Sequence, residues 1–182
     1  IGAQEIIDKV DRWCLYITDK QFEELKNIPE LKVRLDSVVQ MRIKSTKLAT
    51  QKLASMPHKF AEDRFYDEDC ILIPCVTSEQ RKYIPIDFVK KGSVIYASAQ
   101  AIYTNETHLF SIVTSSIHTI WIKAVCGSLE TRIRYSSSLG YNNFPFPHIN
   151  SSQKQELENC VFKILEEREK HSEKTLAQLY DP

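Results

Sequence analysis

A chain of 182 residues with 42% hydrophobic and 26% charged side chains carries enough apolar material for a full core and too ordinary a composition for disorder. It reads as one globular domain, or as one domain with appended helices. Twenty-four basic residues cancel twenty-four acidic ones, which counts against a polyanionic partner unless positive charge is gathered locally.

It is gathered locally. Between residues 32 and 52 the chain carries Lys32, Arg34, Arg42, Lys44, Lys47 and Lys52 against Asp36 alone, while residues 154–181 are predominantly acidic. The five cysteines, Cys14, Cys70, Cys75, Cys126 and Cys160, form no Cys-x-x-Cys pair and leave one over in any disulfide scheme. They read as reduced thiols in a cytoplasmic protein and give no metal site. No apolar run approaches the roughly 20 residues of a membrane span, and no signal-peptide pattern opens the chain. The ends, Ile1-Gly2 without a methionine and Asp181-Pro182, suggest a piece of something longer.

In chain order, residues 12–17 (Arg-Trp-Cys-Leu-Tyr-Ile) predict a short apolar strand ended by Thr18-Asp19. Apolar residues from Phe22 to Ile43 then recur at three- and four-residue steps, with Pro29 suited to the first turn of a second helix and Pro57 closing the pattern. From Asp69 the period changes, and residues 71–76, 83–89 and 93–97 predict short strands of an antiparallel meander with Pro74 and Pro85 at edges or irregular ladders. Residues 106–125 return to helical spacing, closed by Gly127 as a cap. Residues 129–136 alternate like a strand, with Glu130, Arg132 and Arg134 on one face and Leu129, Thr131, Ile133 and Tyr135 on the other. Ser151-Ser152 with Gln155 predicts the start of a last helix whose inner face is Leu157, Val161, Ile164 and Leu165.

Three constellations carry chemistry. On the strand at 130–134 an acid and two guanidinium groups stand about 6.5 to 7 Å apart per step. In a major groove Arg donates two bonds to guanine and Glu accepts from the cytosine amino group, so this face suits a C·G pair. The bland alternative is a surface ion ladder contributing well under ~1 kcal/mol per exposed pair. Second, Ser78, Arg81, Lys82 and Tyr83 offer hydroxyl, cationic and phenol groups at a loop entering a strand, fit for phosphate or base contact and equally for a polar hairpin. Third, residues 141–147 (Tyr-Asn-Asn-Phe-Pro-Phe-Pro) alternate prolines with aromatics into a stiff extended strap beside Ser136. Catalytic signatures are missing: four glycines form no nucleotide or S-adenosylmethionine loop, and His118 lacks an acid one turn away to orient it. Residues 143–146 (Asn-Phe-Pro-Phe) have the wrong order for the Asn-Pro-Pro-Phe/Tyr motif of amino-methylating DNA methyltransferases.

Taken in order, Arg-Trp-Cys-Leu at 12–15, Thr-Ser-Glu-x-Arg-x-Tyr-Ile-Pro at 77–85, Ser-Ser-x-His-x-x-Trp at 115–121, Gly-x-Leu-x-x-x-x-Arg-Tyr-Ser at 127–136, the 141–147 strap and Leu-Ala-x-Leu-Tyr-Asp-Pro at 176–182 resemble the target recognition region of MmeI-like type IIL restriction-modification enzymes. The resemblance covers nearly the whole chain. It implies a DNA-binding domain of a polypeptide that elsewhere carries a nuclease, a helical connector and an adenine N6-methyltransferase domain, using S-adenosylmethionine and magnesium there and no cofactor here. Glu130 and Arg132 match the stretch where the family varies its base-reading side chains. Arg134, Tyr135 and Ser136 fall in a near-constant part suited to structural or phosphate roles.

The expectation is therefore an α+β fold, a mixed or antiparallel central sheet with flanking helices and helical extensions at both ends. Residues 1–60 would form an N-terminal strand and connector, 61–150 the recognition core, and 151–182 the start of a helical tail. Glu130 and Arg132 would read bases in double-stranded DNA. Ser78, Arg81, Lys82, Tyr83, Arg134, Ser136, Tyr141, Asn142, Lys44 and Lys47 would contact the DNA backbone or support the readers. No residue would be catalytic and no membrane would be involved. The competing readings are a protein-interaction module and a fragment with a hidden methyltransferase active site.

Overall fold

The structure, a computed structural model, describes residues 1–63 and 65–182. Two compact units divide them: residues 1–12 with 65–182 form the first, and residues 13–63 belong to the second.

The first unit is built on β1 (Cys70–Pro74), every residue of which is buried. It is the middle strand of an antiparallel sheet, with β3 (Asp87–Val89) on one side and β4 (Ala99–Tyr103) on the other. The unbroken apolar run at 70–74 follows from being covered on both faces. Ile71 and Ile73 point into the main core with Ile84, Ile86, Phe110, Val113 and Ile122, whereas Cys70 and Leu72 join Val89 and Ala99 in a smaller cluster on the opposite face. A second antiparallel sheet has the order β2 (Val76–Thr77), β6 (Arg132–Arg134), β5 (Ser128–Leu129). The fold is thus α+β with antiparallel sheets, two small ones where the sequence suggested one.

The strand expected at 93–97 is absent, and the edge is filled by β4 one step later. Residues near 95 are occupied otherwise: the Ile1 main-chain nitrogen donates to Val94 O (2.6 Å), and Tyr96 N donates to Ile1 O (2.7 Å). Of the run at 83–89 only 87–89 is strand, since Pro85 has no N–H for a ladder. The strand expected at 12–17 does not form either; the first element is the helix α1 (Ala3–Ile7), and residues 10–18 are irregular.

The helix expected over 106–125 is two helices, α5 (Thr107–Thr114) and α6 (Ser116–Val125). They break at Ser115, which is extended (ψ 157°) and caps α6 by accepting from His118 N at 3.1 Å. Gly127 is not a left-handed cap: α6 ends at Cys126 in extended conformation. The long α7 (Ser151–Glu169) starts one residue before the expected cap, because Asn150 and Gln153 satisfy each other's main-chain N–H groups at 2.9 Å. Val161 of α7 is fully buried against α5. Arg168 near its end donates to Ile86 O, Asp87 and the Tyr180 hydroxyl of α8 (Leu176–Tyr180).

The second unit is helical: α2 (Asp19–Leu25), α3 (Pro29–Ile43) with Pro29 in its first turn, and α4 (Leu48–Lys52) running into a 3₁₀ turn. Arg42, one of the basic residues gathered between 32 and 52, is buried and donates to the carbonyls of Leu53, Met56 and Lys59 (2.5–2.8 Å), fastening the chain after α4 back onto α3. Among the described residues no helix is long and apolar enough to cross a membrane.

Candidate nucleic-acid interface

The hairpin β5–β6 of the first unit carries exposed charge of both signs. Leu129 pairs with Arg132, so Glu130 and Thr131 are its two-residue turn. Glu130 therefore does not lie on a strand face, as the alternation suggested, but at the tip with φ +58°, a left-handed conformation in which glycine is the usual residue. The turn brings the two side chains together by another route. Arg132 Nη2 donates to Glu130 Oε2 at 2.8 Å, with both groups largely solvent-exposed. Strand alternation holds where a strand exists: Arg132 and Arg134 are exposed and Ile133 between them is buried.

What aims β6 is the core beneath it. Tyr135 is buried, and its hydroxyl lies 3.0 Å from His118 Nε2 of α6. Burial lowers the His118 pKa to about 4, so the imidazole is neutral, and burial drives the Tyr135 phenol well above its ordinary range. The 141–147 strap packs over the same place. Phe144 meets His118 edge-on at 4.5 Å, and Phe146 meets Tyr141 and Phe144 at 5.1 and 5.0 Å. A π-helical turn at Ser137–Tyr141 leads into the strap, and Trp121 Nε1 donates to Gly140 O at 2.9 Å. Gly140 allows that approach: a Cβ there would collide with Ile122 Cδ1 and come within 2.9 Å of Cys126 Sγ.

The remaining predicted residues divide by environment. Arg81 is mostly buried, donating to Asp181 Oδ1 (2.6 Å) and Thr77 Oγ1 (3.0 Å), so its guanidinium is committed inside the unit. Ser78 accepts from Gln80 N in the same loop. Lys82 is exposed, its ammonium 5.4 Å above the half-buried Tyr83 ring. Ser136 caps the π-helical turn through Leu139 N, Tyr141 is held in the aromatic cluster with its pKa raised by burial, and Asn142 is exposed. Lys44 and Lys47 are exposed and belong to the second unit. Sequence reasoning passed over Glu79 and Asp181, the acidic partners of Thr131 and Arg81. Their contacts span 52 and 100 residues, and no local spacing announces them.

A groove of about 850 Å³ between α6, the strap and the start of α7 is lined chiefly by Ile117, Ile120, Trp121, Phe144 and Leu157. Its walls are mainly apolar, with Ser111, Ser115, Gln153, Glu156 and Cys160 among them. Among the described residues no group of three or more His, Cys, Asp or Glu side chains is placed to hold a metal ion.

The hairpin thus displays an acid and two arginines from a buried aromatic footing. The chain belongs to the family of MmeI target recognition domains, whose model matches residues 1–148. It is 37% identical over all 182 residues to DNA methyltransferase A of Bacillus subtilis (strain 168), of which it spans 21%. It is likewise similar, with a TM-score of 0.94 and 36% identity over its whole length, to the solved structure of the type IIL restriction-modification enzyme MmeI in complex with DNA, of which it spans 24%. The chain thus corresponds to about a fifth to a quarter of these relatives.

Proposed function

We propose that this domain reads a short sequence in double-stranded DNA, and that Glu130 and Arg132 at the β5–β6 turn jointly read one C·G pair. The carrying observation is the 2.8 Å contact between them on an exposed hairpin. A carboxylate that accepts from the cytosine amino group and a guanidinium that donates to guanine O6 and N7 already stand side by side. Arg134 on the same strand face, Lys82 with Tyr83, and the exposed Asn142 supply neighbouring polar contacts, while Ser78, Arg81, Ser136 and Tyr141 support the loops that carry them. Lys44 and Lys47 offer phosphate contacts from the second unit. Functionally, recognition resides in residues 61–150, residues 1–60 connect, and 151–182 open a helical tail. The compact units cut the chain differently because residues 1–12 are hydrogen-bonded to the stretch at 94–98.

The domain presents its site to adenine N6-methyltransferase and endonuclease domains of the same cytoplasmic polypeptide. Those domains use S-adenosylmethionine and Mg²⁺, and the 182 residues themselves transfer no methyl group. The test is a charge swap in the parent polypeptide. Glu130→Lys with Arg132→Asp exchanges donor and acceptor order and should convert the C·G pair to G·C, leaving the other positions of the methylated site as they were. Either change alone should cost about 1 to 3 kcal/mol of discrimination at that position. An even loss of affinity for all sequences would mean that the pair holds phosphate or the fold instead.

A further inference from the structure

The tip of the β5–β6 hairpin needs more support than its own ladder provides. Two Cα pairs, Ser128 with Ile133 and Leu129 with Arg132, join the strands, and a non-glycine residue occupies the left-handed first turn position. Residues held in such conformations persist when the surroundings over-determine them. Here Glu79 reaches across from the β2 side, and Thr131 Oγ1 donates to its Oε1 at 2.9 Å. Glu79 is presented by a tight turn that is itself fastened at both ends. Thr77 pairs with Ile133, Arg81 N donates to Ser78 O, Gln80 N donates to Ser78 Oγ, and the Arg81 guanidinium bridges Thr77 Oγ1 and Asp181.

We propose that Glu79 is a positioning residue for base readout: by accepting from the Thr131 hydroxyl it fixes the hairpin turn, and with the turn the place from which Arg132 meets the base pair. This rests on the assignment of Arg132 as a reader. Arg132 itself is held by Glu130 across the same turn at 2.8 Å. An arginine that must meet two acceptors in one plane gains specificity when its rotamer is set before the DNA arrives. In keeping with this arrangement, the Glu79 carboxyl lies below its ordinary range, first through its own main-chain N–H, then through the Thr131 hydroxyl, with the Arg132 charge adding to both. Arg81 and Asp181 extend the support to the end of α8, so the hairpin tip is tied to elements distant in sequence.

The experiment uses the parent polypeptide and a pool of double-stranded oligonucleotides randomised across the recognised site, with the bound fraction sequenced. Glu79→Ala and Thr131→Val should each reduce preference at the pair read by Arg132 on the order of tenfold, within the range one bidentate base contact spans. Preference elsewhere in the site and the salt dependence of binding should stay as in the wild type. Glu79→Gln keeps an acceptor for the Thr131 hydroxyl and should restore most of the preference. The double variant should be no worse than either single one, because both remove the same contact. Preference retained in Glu79→Ala while Arg132→Ala abolishes it overturns the proposal and leaves the reader assignment standing. Loss at every position together with a lowered melting midpoint overturns it in favour of simple fold support. If Arg132→Ala itself leaves all preferences intact, the reader assignment falls and this proposal falls with it.

Discussion

The two sheets of the first unit share strand number and antiparallel pairing, and they differ in almost everything else. In the β3–β1–β4 sheet the central strand is buried throughout and sandwiched between two apolar clusters. In the β2–β6–β5 sheet, strands of two and three residues bury Thr77 and Ile133 and leave Arg132, Arg134, Ser128 and Leu129 in solvent. Buried apolar packing resides in one and exposed charge in the other. A domain arranged this way can change the exposed residues of its second sheet at little cost in folding free energy, since exposed substitutions usually stay within about 0.5 kcal/mol.

That division can be broken at its strongest point first. Leu72→Ala removes a fully buried side chain from the first sheet and should destabilise the protein by about 2 to 5 kcal/mol in urea denaturation. Glu130→Ala or Arg132→Ala in the second sheet should shift the same midpoint hardly at all. Comparable losses from both would erase the distinction.

Next in size is the footing between the sheets. The His118 pKa is lowered to about 4 in the folded state against an ordinary 6.5, so the unfolded chain binds more protons between those values. Stability should therefore be fully present above about pH 6.5 and fall as pH drops toward 4, by on the order of 2 to 3 kcal/mol. His118→Gln should flatten this limb of a stability profile measured by thermal melts from pH 7 to 4.5. An unchanged slope would show that another group carries it.

Gly140→Ala should cost about 1 to 3 kcal/mol, because the added methyl must displace Ile122 or Cys126. It should be felt in denaturation, again with no change in which sequences are preferred.

The smallest effect concerns charge. With zero net charge, so that the exposed lysines and arginines are offset by as many acids, DNA affinity of the domain should be weak and fall with salt at a modest slope, about 0.9 per phosphate contacted. Fluorescence anisotropy over a salt series reads it, and affinity unchanged from low to high salt would remove the phosphate contacts from the account.

Much of this was legible in the chain because it depends on local rules. A continuous apolar run located β1, period-two alternation the arginines of β6 and period-3.6 spacing α3 and α7, and Pro29 marked a helix start by its fixed φ and missing N–H. The Pro-aromatic alternation at 141–147 announced a rigid strap, and the structure finds it packed on His118 and Trp121. Resemblance of ordered motifs supplied what periodicity could not, the family to which the chain belongs.

Tertiary contacts decided the rest. Residues 93–97 have strand composition, yet the Ile1 main chain hydrogen-bonds there and β4 forms farther on. Alternation put Glu130 in a strand, whereas the Leu129–Arg132 pairing left two residues to make the turn. Arg42 stands in a basic stretch and Arg81 in a polar loop suited to backbone contact or support, and the fold gave one to three carbonyls and the other to Thr77 and Asp181. A side chain's charge is written in the sequence. Whether water, DNA or another part of the protein receives that charge depends on which distant residues packing brings within about 3 Å, and no local spacing encodes that distance.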